Sequence, residues 1–110
     1  MARTQKAQTQ FRQGDVLIER VASIPTNATA RAREQGHVVL AHGEVTGHAH
    51  AIREGGAALL DTPDGLTYLR LDEVSQLMHE EHATIELPAG GYRVTRQREY
   101  SPEEIRNVAD

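Results

Sequence analysis

Cysteine is absent from the 110 residues, which removes thiolate metal ligands, disulfides and a cysteine nucleophile together. Tryptophan is also absent, Phe11 is the only phenylalanine, and there are three tyrosines. The core must therefore be aliphatic. Of the 42 apolar residues, 14 are alanine, which leaves 22 Val, Ile and Leu. So little bulk closes either as a tight barrel or sheet or by pairing with a second copy, and a homodimer is one expectation. No apolar run approaches membrane-spanning length, and residues 1–10 are mostly polar, without the apolar run of a signal peptide. These absences lead us to expect a soluble, cytoplasmic protein. The net charge of −4 supplies no whole-protein field towards nucleic acid or an anionic membrane.

What is present reads as short strands punctuated by turns. Residues 1–12 are expected to be a flexible tail, residues 13–100 a small antiparallel β-barrel or β-sandwich, and residues 101–110 a short C-terminal helix. Gln13-Gly14-Asp15 is a turn that releases the β-rich run Val16 to Val21. Thr26 to Gln35 lacks large apolar residues at either period and reads as a surface loop with one helical turn near Ala30 to Glu34. Strands are expected over His37–His42, His48–Arg53, Ala57–Asp61, Leu66–Leu71 and Tyr92–Arg98. In Pro63-Asp64-Gly65, Pro presets φ, Asp bonds back to the backbone and Gly accepts positive φ, so the strands on either side form a hairpin. Residues 72–83 fit either strand or helix, and strands are the reading adopted. Pro88 to Gly91 is read as a tight turn. Ser101-Pro102-Glu103-Glu104 has the chemistry of a helix start, with Ser as N-cap, Pro at the first helical position and Glu closing a capping box. No crossover is long or periodic enough for a βαβ unit.

The chemistry rests on histidines. His48 and His50 are two apart, so on a strand both rings leave the same face, while Ala49 points away. Imidazole suits Zn, Fe, Cu or Ni, and a catalytic site combines two or three histidines with a carboxylate and an open position. Glu44 and Glu54 stand at the two ends of this segment. Downstream, His79-Glu80-Glu81-His82 supplies two further imidazoles and two carboxylates. The expected metal ligands are His48, His50, His82, His79 and Glu54, around a divalent transition metal such as Zn, Fe, Mn or Ni. Glu44, Glu80 and Glu81 are the candidate proton carriers. The bland alternative is that acidic residues beside histidines only solvate a strand edge. His37 and His42 bracket an apolar strand and are placed outside the ligand set. Arg93, Arg96 and Arg98 read as a solvated face, with binding of a phosphate or carboxylate ligand as the sharper alternative.

The run Gly43-Glu44-Val45-Thr46-Gly47-His48-Ala49-His50-Ala51-Ile52, with His79-Glu80-Glu81-His82-Ala83, Leu87-Pro88-Ala89-Gly90-Gly91-Tyr92-Arg93-Val94 and Arg98-Glu99-Tyr100-Ser101-Pro102-Glu103, resembles a small family of uncharacterised bacterial and phage β-proteins over residues 13–110. Separately, His48-x-His50-x-x-x-Glu54 resembles the first metal motif of the cupins, small β-barrels that hold a divalent metal. That resemblance implies His48, His50 and Glu54 as ligands. The second cupin motif has its histidine after a Pro-x-Gly turn, whereas His82 precedes Pro88-Ala89-Gly90.

Three functions follow as expectations. The first is a metal-dependent enzyme, a hydrolase, isomerase or oxygenase, that uses the ion as a Lewis acid or to activate water. The second is a metal-independent RNA phosphodiesterase with His50 and His82 as base and acid and Arg96 or Arg98 on the phosphate; acidic charge and sparse aromatics argue against a nucleic-acid surface. The third is a non-enzymatic ligand-binding module associated with a phage or an operon.

Overall fold

The structure, a computed structural model, describes residues 8–43 and 47–97. It contains ten strands: β1 (Gln10–Gln13), β2 (Val16–Val21), β3 (Thr29–Ala30), β4 (Val38–His42), β5 (Ala49–Ile52), β6 (Ala57–Asp61), β7 (Thr67–Leu71), β8 (Ser75–Met78), β9 (Ile85–Leu87) and β10 (Gly90–Arg96). There is no helix among the described residues, and none is long and apolar enough to cross a membrane. The strands form two antiparallel sheets, one ordered β1-β2-β10-β7-β6-β3 and the other β4-β5-β8-β9.

Of the barrel and the sandwich that the sequence allows, the closed barrel is not formed. The outer strands of each sheet, β1 and β3 in one and β4 and β9 in the other, do not pair across to the other sheet among the described residues. The apolar residues instead meet between two open layers. Ile18, Leu69, Leu71 and Tyr92 of the larger sheet share one buried cluster with Ile52, Leu77 and Leu87 of the smaller. Burial of each such Leu or Ile contributes roughly 1.5–3 kcal/mol. Phe11 packs edge-on to Tyr92 with ring centres 6.0 Å apart, which brings two of the four aromatic residues to one point.

Several local expectations change. Residues 10–12 are not tail: Gln10 to Gln13 pairs in register with Glu19 to Val16, and Phe11 and Gln13 alternate into the interior. Ala30 to Glu34 makes no helical turn. Thr29 and Ala30 pair with Asp61 and Leu60, and Glu34 bridges to His37 through reciprocal backbone hydrogen bonds of 2.8 and 3.0 Å. Between them Gln35 and Gly36 have φ of 52° and 85°, the signature of a type I′ hairpin turn. Residues 75–78 are a strand, and its register against Ala51 and Ile52 brings the His79 segment beside β5. Pro88 and Ala89 carry the chain from β9 in one sheet to β10 in the other, where Tyr92 Oη donates a 2.6 Å hydrogen bond back to the Pro88 carbonyl. The expected C-terminal helix over Pro102 to Val108 lies outside the described residues.

Candidate functional site

The site begins with strand parity. Along β5, His50 and Ile52 face the interior while Ala49 and Ala51 face outward. Ile52 enters the apolar cluster, whereas His50, only 2% exposed, meets a polar partner from another strand. The Gln13 side-chain amide donates to the carbonyls of Leu77 at 2.9 Å and Ala83 at 3.0 Å. With both N–H groups spent, the Gln13 Oε1 that lies 2.8 Å from His50 Nδ1 must accept, so Nδ1 carries the proton. His50 Nε2 is thereby left with a bare lone pair, 3.6 Å from Asp15 Oδ1. Burial, reinforced by the neighbouring His79, pushes the His50 pKa down to about 4 against the opposing pull of Asp15. The ring is neutral at pH 7, the state in which imidazole is a ligand.

The two histidine pairs meet. Ring centres lie 4.4 Å apart for His50 and His79, 4.6 Å for His79 and His82, 5.7 Å for His48 and His79, and 5.8 Å for His50 and His82. Imidazoles that share one ion at about 2.0–2.1 Å per nitrogen have ring centres roughly 5 Å apart. Glycine makes part of this approach possible. Gly14 sits at φ 59°, and a Cβ there would lie 2.7 Å from His82 Nε2. His82 thus packs directly on the β1–β2 turn.

The acidic groups divide by position. Glu80 comes nearest to completing a ligand set: one ligand atom from each of His48, His79 and Glu80 lies within 4.8 Å of the other two. Its Oε1 also accepts a 2.9 Å hydrogen bond from the Ala49 backbone N–H, which together with Glu80's own N–H holds the carboxyl below its usual pKa. Such a carboxylate stays ionised near neutrality and suits a ligand better than a proton donor. Glu81 is exposed, with Oε2 3.4 Å from His48 Nδ1, while its backbone N–H donates to His79 Nδ1 at 3.0 Å. Coordination by His79 therefore displaces either that bond or the Nε2 proton, whereas His50 needs no such change. Asp15 and Arg96 form a pair at 3.0 Å. Burial opposes ionisation of Asp15, but the hydrogen bond and charge of Arg96 outweigh it and hold the pKa low.

His48 and His79 separate two openings. A cleft of about 350 Å³ on one side is lined by His50, His82, Asp15 and Arg96. A larger trough of about 670 Å³ runs over the outer face of β4, β5 and β8. Glu54 lines neither. It lies beyond the far end of β5, where its carbonyl accepts a hydrogen bond from Arg33 and its Oε1 is buried without a partner among the described residues. Glu44 and Arg98 lie outside the described residues, and Arg93 is exposed on β10. His42 pairs with Glu34 at 3.0 Å, and both line the larger trough.

Gln13 and Asp15 are the members of the candidate site that the pattern of histidines does not reveal. Gln-Gly-Asp reads as turn chemistry, and the partners lie 37 and 81 residues away. The available signal is that Gln13 follows Phe11 at the same parity, which places a polar group on the buried face.

A family model described as "Domain of unknown function (DUF8820)" matches residues 12–97, more than three quarters of the chain. No curated protein matches the chain. No solved structure matches it either.

Proposed function

The chain belongs to the DUF8820 family of domains, and from the site it carries we propose that it binds one divalent transition metal in the cluster of His48, His50, His79 and His82. The observation that carries this reading is the meeting of two histidine pairs about thirty residues apart in sequence, one of whose rings, His50, is fixed through Nδ1 so that Nε2 is free. A ligating histidine ordinarily donates its other N–H to an acceptor that orients the ring, which is the role of Gln13 here. Glu80 is the carboxylate beside His48 and His79, and Asp15 the one beside His50. Of the ligands suggested by the cupin-like motif, this reading keeps His48 and His50 and replaces Glu54.

Bound there, the ion would act as a Lewis acid or lower the pKa of a bound water. Glu81, exposed beside His48, is positioned to carry a proton to or from solvent. The test is elemental analysis of protein purified without an affinity tag, set against a His48→Ala, His50→Ala double variant. About one equivalent of metal is expected in the first and little in the second. Equal metal content in both defeats the reading.

A second reading rests on a different observation. His50, His82 and Arg96 line one cleft, the combination that acid–base cleavage of a phosphodiester requires, with Arg96 on the pentavalent phosphate. The low pKa of His50 makes it a base and leaves His82 as the acid. RNA cleavage that survives a chelator and disappears in single His50→Ala and His82→Ala variants would favour it. Absence of turnover with either chemistry would leave a binding module.

A further inference from the structure

The larger opening has a shape that the metal reading does not use. In the smaller sheet, Val39 of β4 lies opposite Ala51 of β5, which in turn lies opposite Met78 of β8. One step along, His42 lies opposite Ala49. The middle strand therefore presents alanine at successive outward positions between bulkier neighbours, and a trough runs along β5. The Gln35-Gly36 hairpin tip raises its wall on the β4 side, with Glu34 tied to His42 at 3.0 Å. One end is His48, His79 and Glu80. The other is Arg53, which is exposed and has no ion-pair or hydrogen-bond partner among the described residues, whereas Arg31, Arg70 and Arg96 each face an aspartate. Five residue steps lead from His48 to Arg53, roughly 16 Å at about 3.3 Å per residue.

We propose that this trough binds a linear aliphatic carboxylate, its chain lying on Ala49 and Ala51 between Val39 and Met78, its carboxylate paired with Arg53, and its far end against the histidine cluster. Val39, Ala49, Ala51 and Met78 are the apolar part of the lining and take methylene groups, and a guanidinium without a partner among the described residues selects an anion over an amine. The far end of this ligand is where the proposal rests on the metal reading; binding along the strand does not depend on it.

The test is calorimetric titration of the full chain, chelator-treated and zinc-loaded, with decanoate, and with acetate and decylamine as controls for length and charge. Decanoate should bind and the two controls should not. Ala51→Leu fills the trough from an outward position and should weaken decanoate binding at least tenfold. Arg53→Ala should weaken it severalfold and abolish the preference for decanoate over decylamine. Both variants should bind zinc as the unaltered protein does, which keeps a failure of the trough distinct from a failure of the metal site. Decanoate binding that is absent in both forms of the protein, or that persists undiminished in Ala51→Leu, overturns the proposal.

Discussion

Gln13 and His50 fix one another. The Gln13 amide is held by two carbonyls, so its oxygen faces His50 Nδ1 at 2.8 Å, and the imidazole has one tautomer open to it. Replacing Gln13 by Ala leaves the Leu77 and Ala83 carbonyls and the His50 N–H without this partner. Each buried polar group left unpaired costs about 1–3 kcal/mol. We expect Gln13→Ala to lose about 3 kcal/mol in urea denaturation. Metal affinity should fall roughly 10–100-fold, the usual effect of removing a group that orients a ligand. Unchanged metal affinity in a folded Gln13→Ala protein would remove Gln13 from the site.

Gly14→Ala acts on His82 without touching a histidine. A Cβ at φ 59° and 2.7 Å from His82 Nε2 must push the ring aside. The backbone strain costs about 1 kcal/mol, visible in thermal denaturation. Nitrogen chemical shifts of the histidine rings should change at His82 more than at His48, and a His82 signal identical to that of the unaltered protein would refute the contact.

Stability of the metal-free protein should depend on pH in the acidic range. His50 has a pKa of about 4 when folded, against roughly 6.5 in an unfolded chain. The fold favours the neutral ring, so this contribution is complete above about pH 6.5 and is lost as pH falls towards 4. It amounts to something on the order of 3 kcal/mol. Chelator-treated protein should show this slope in denaturant titrations at several pH values, and His50→Gln should flatten it.

Tyr92→Phe tests the junction between the sheets. The phenol donates its hydrogen bond to Pro88, the residue at which the chain changes sheet. Its loss should cost about 1 kcal/mol, a fall of roughly 4–8 °C in Tm for a domain of this size.

Much of the fold is legible because its punctuation is local. Pro63-Asp64-Gly65 carries its turn geometry in three adjacent residues, and in the structure the Gly65 and Thr62 backbones close that turn with hydrogen bonds of 3.0 and 2.9 Å. The misread stretches are those in which local chemistry is weak. Gln35-Gly36 makes a type I′ turn without the usual Asn or Asp, and β1 is a polar run in which Phe11 alone signals an inward face. The site was half legible. His48 and His50 share a face by parity, and His79 and His82 announce themselves by type, but their meeting depends on the β5–β8 register. Gln13, Asp15 and Arg96 join through pairings over more than thirty residues, which no local pattern encodes.

The pairing of Val16 with Arg96, across eighty residues, also sets the order in which the molecule can assemble. Contacts this distant in sequence close large loops, and folding that depends on them is slow, on the scale of milliseconds to seconds. Asp15 comes from the beginning of the described chain, His48 to His50 from its middle, His79 to His82 from later still, and Arg96 from almost its end. On a ribosome, every histidine of the cluster emerges before the strand that brings Arg96 to Asp15. The pocket is complete only once β10 has emerged, after all four of its histidines.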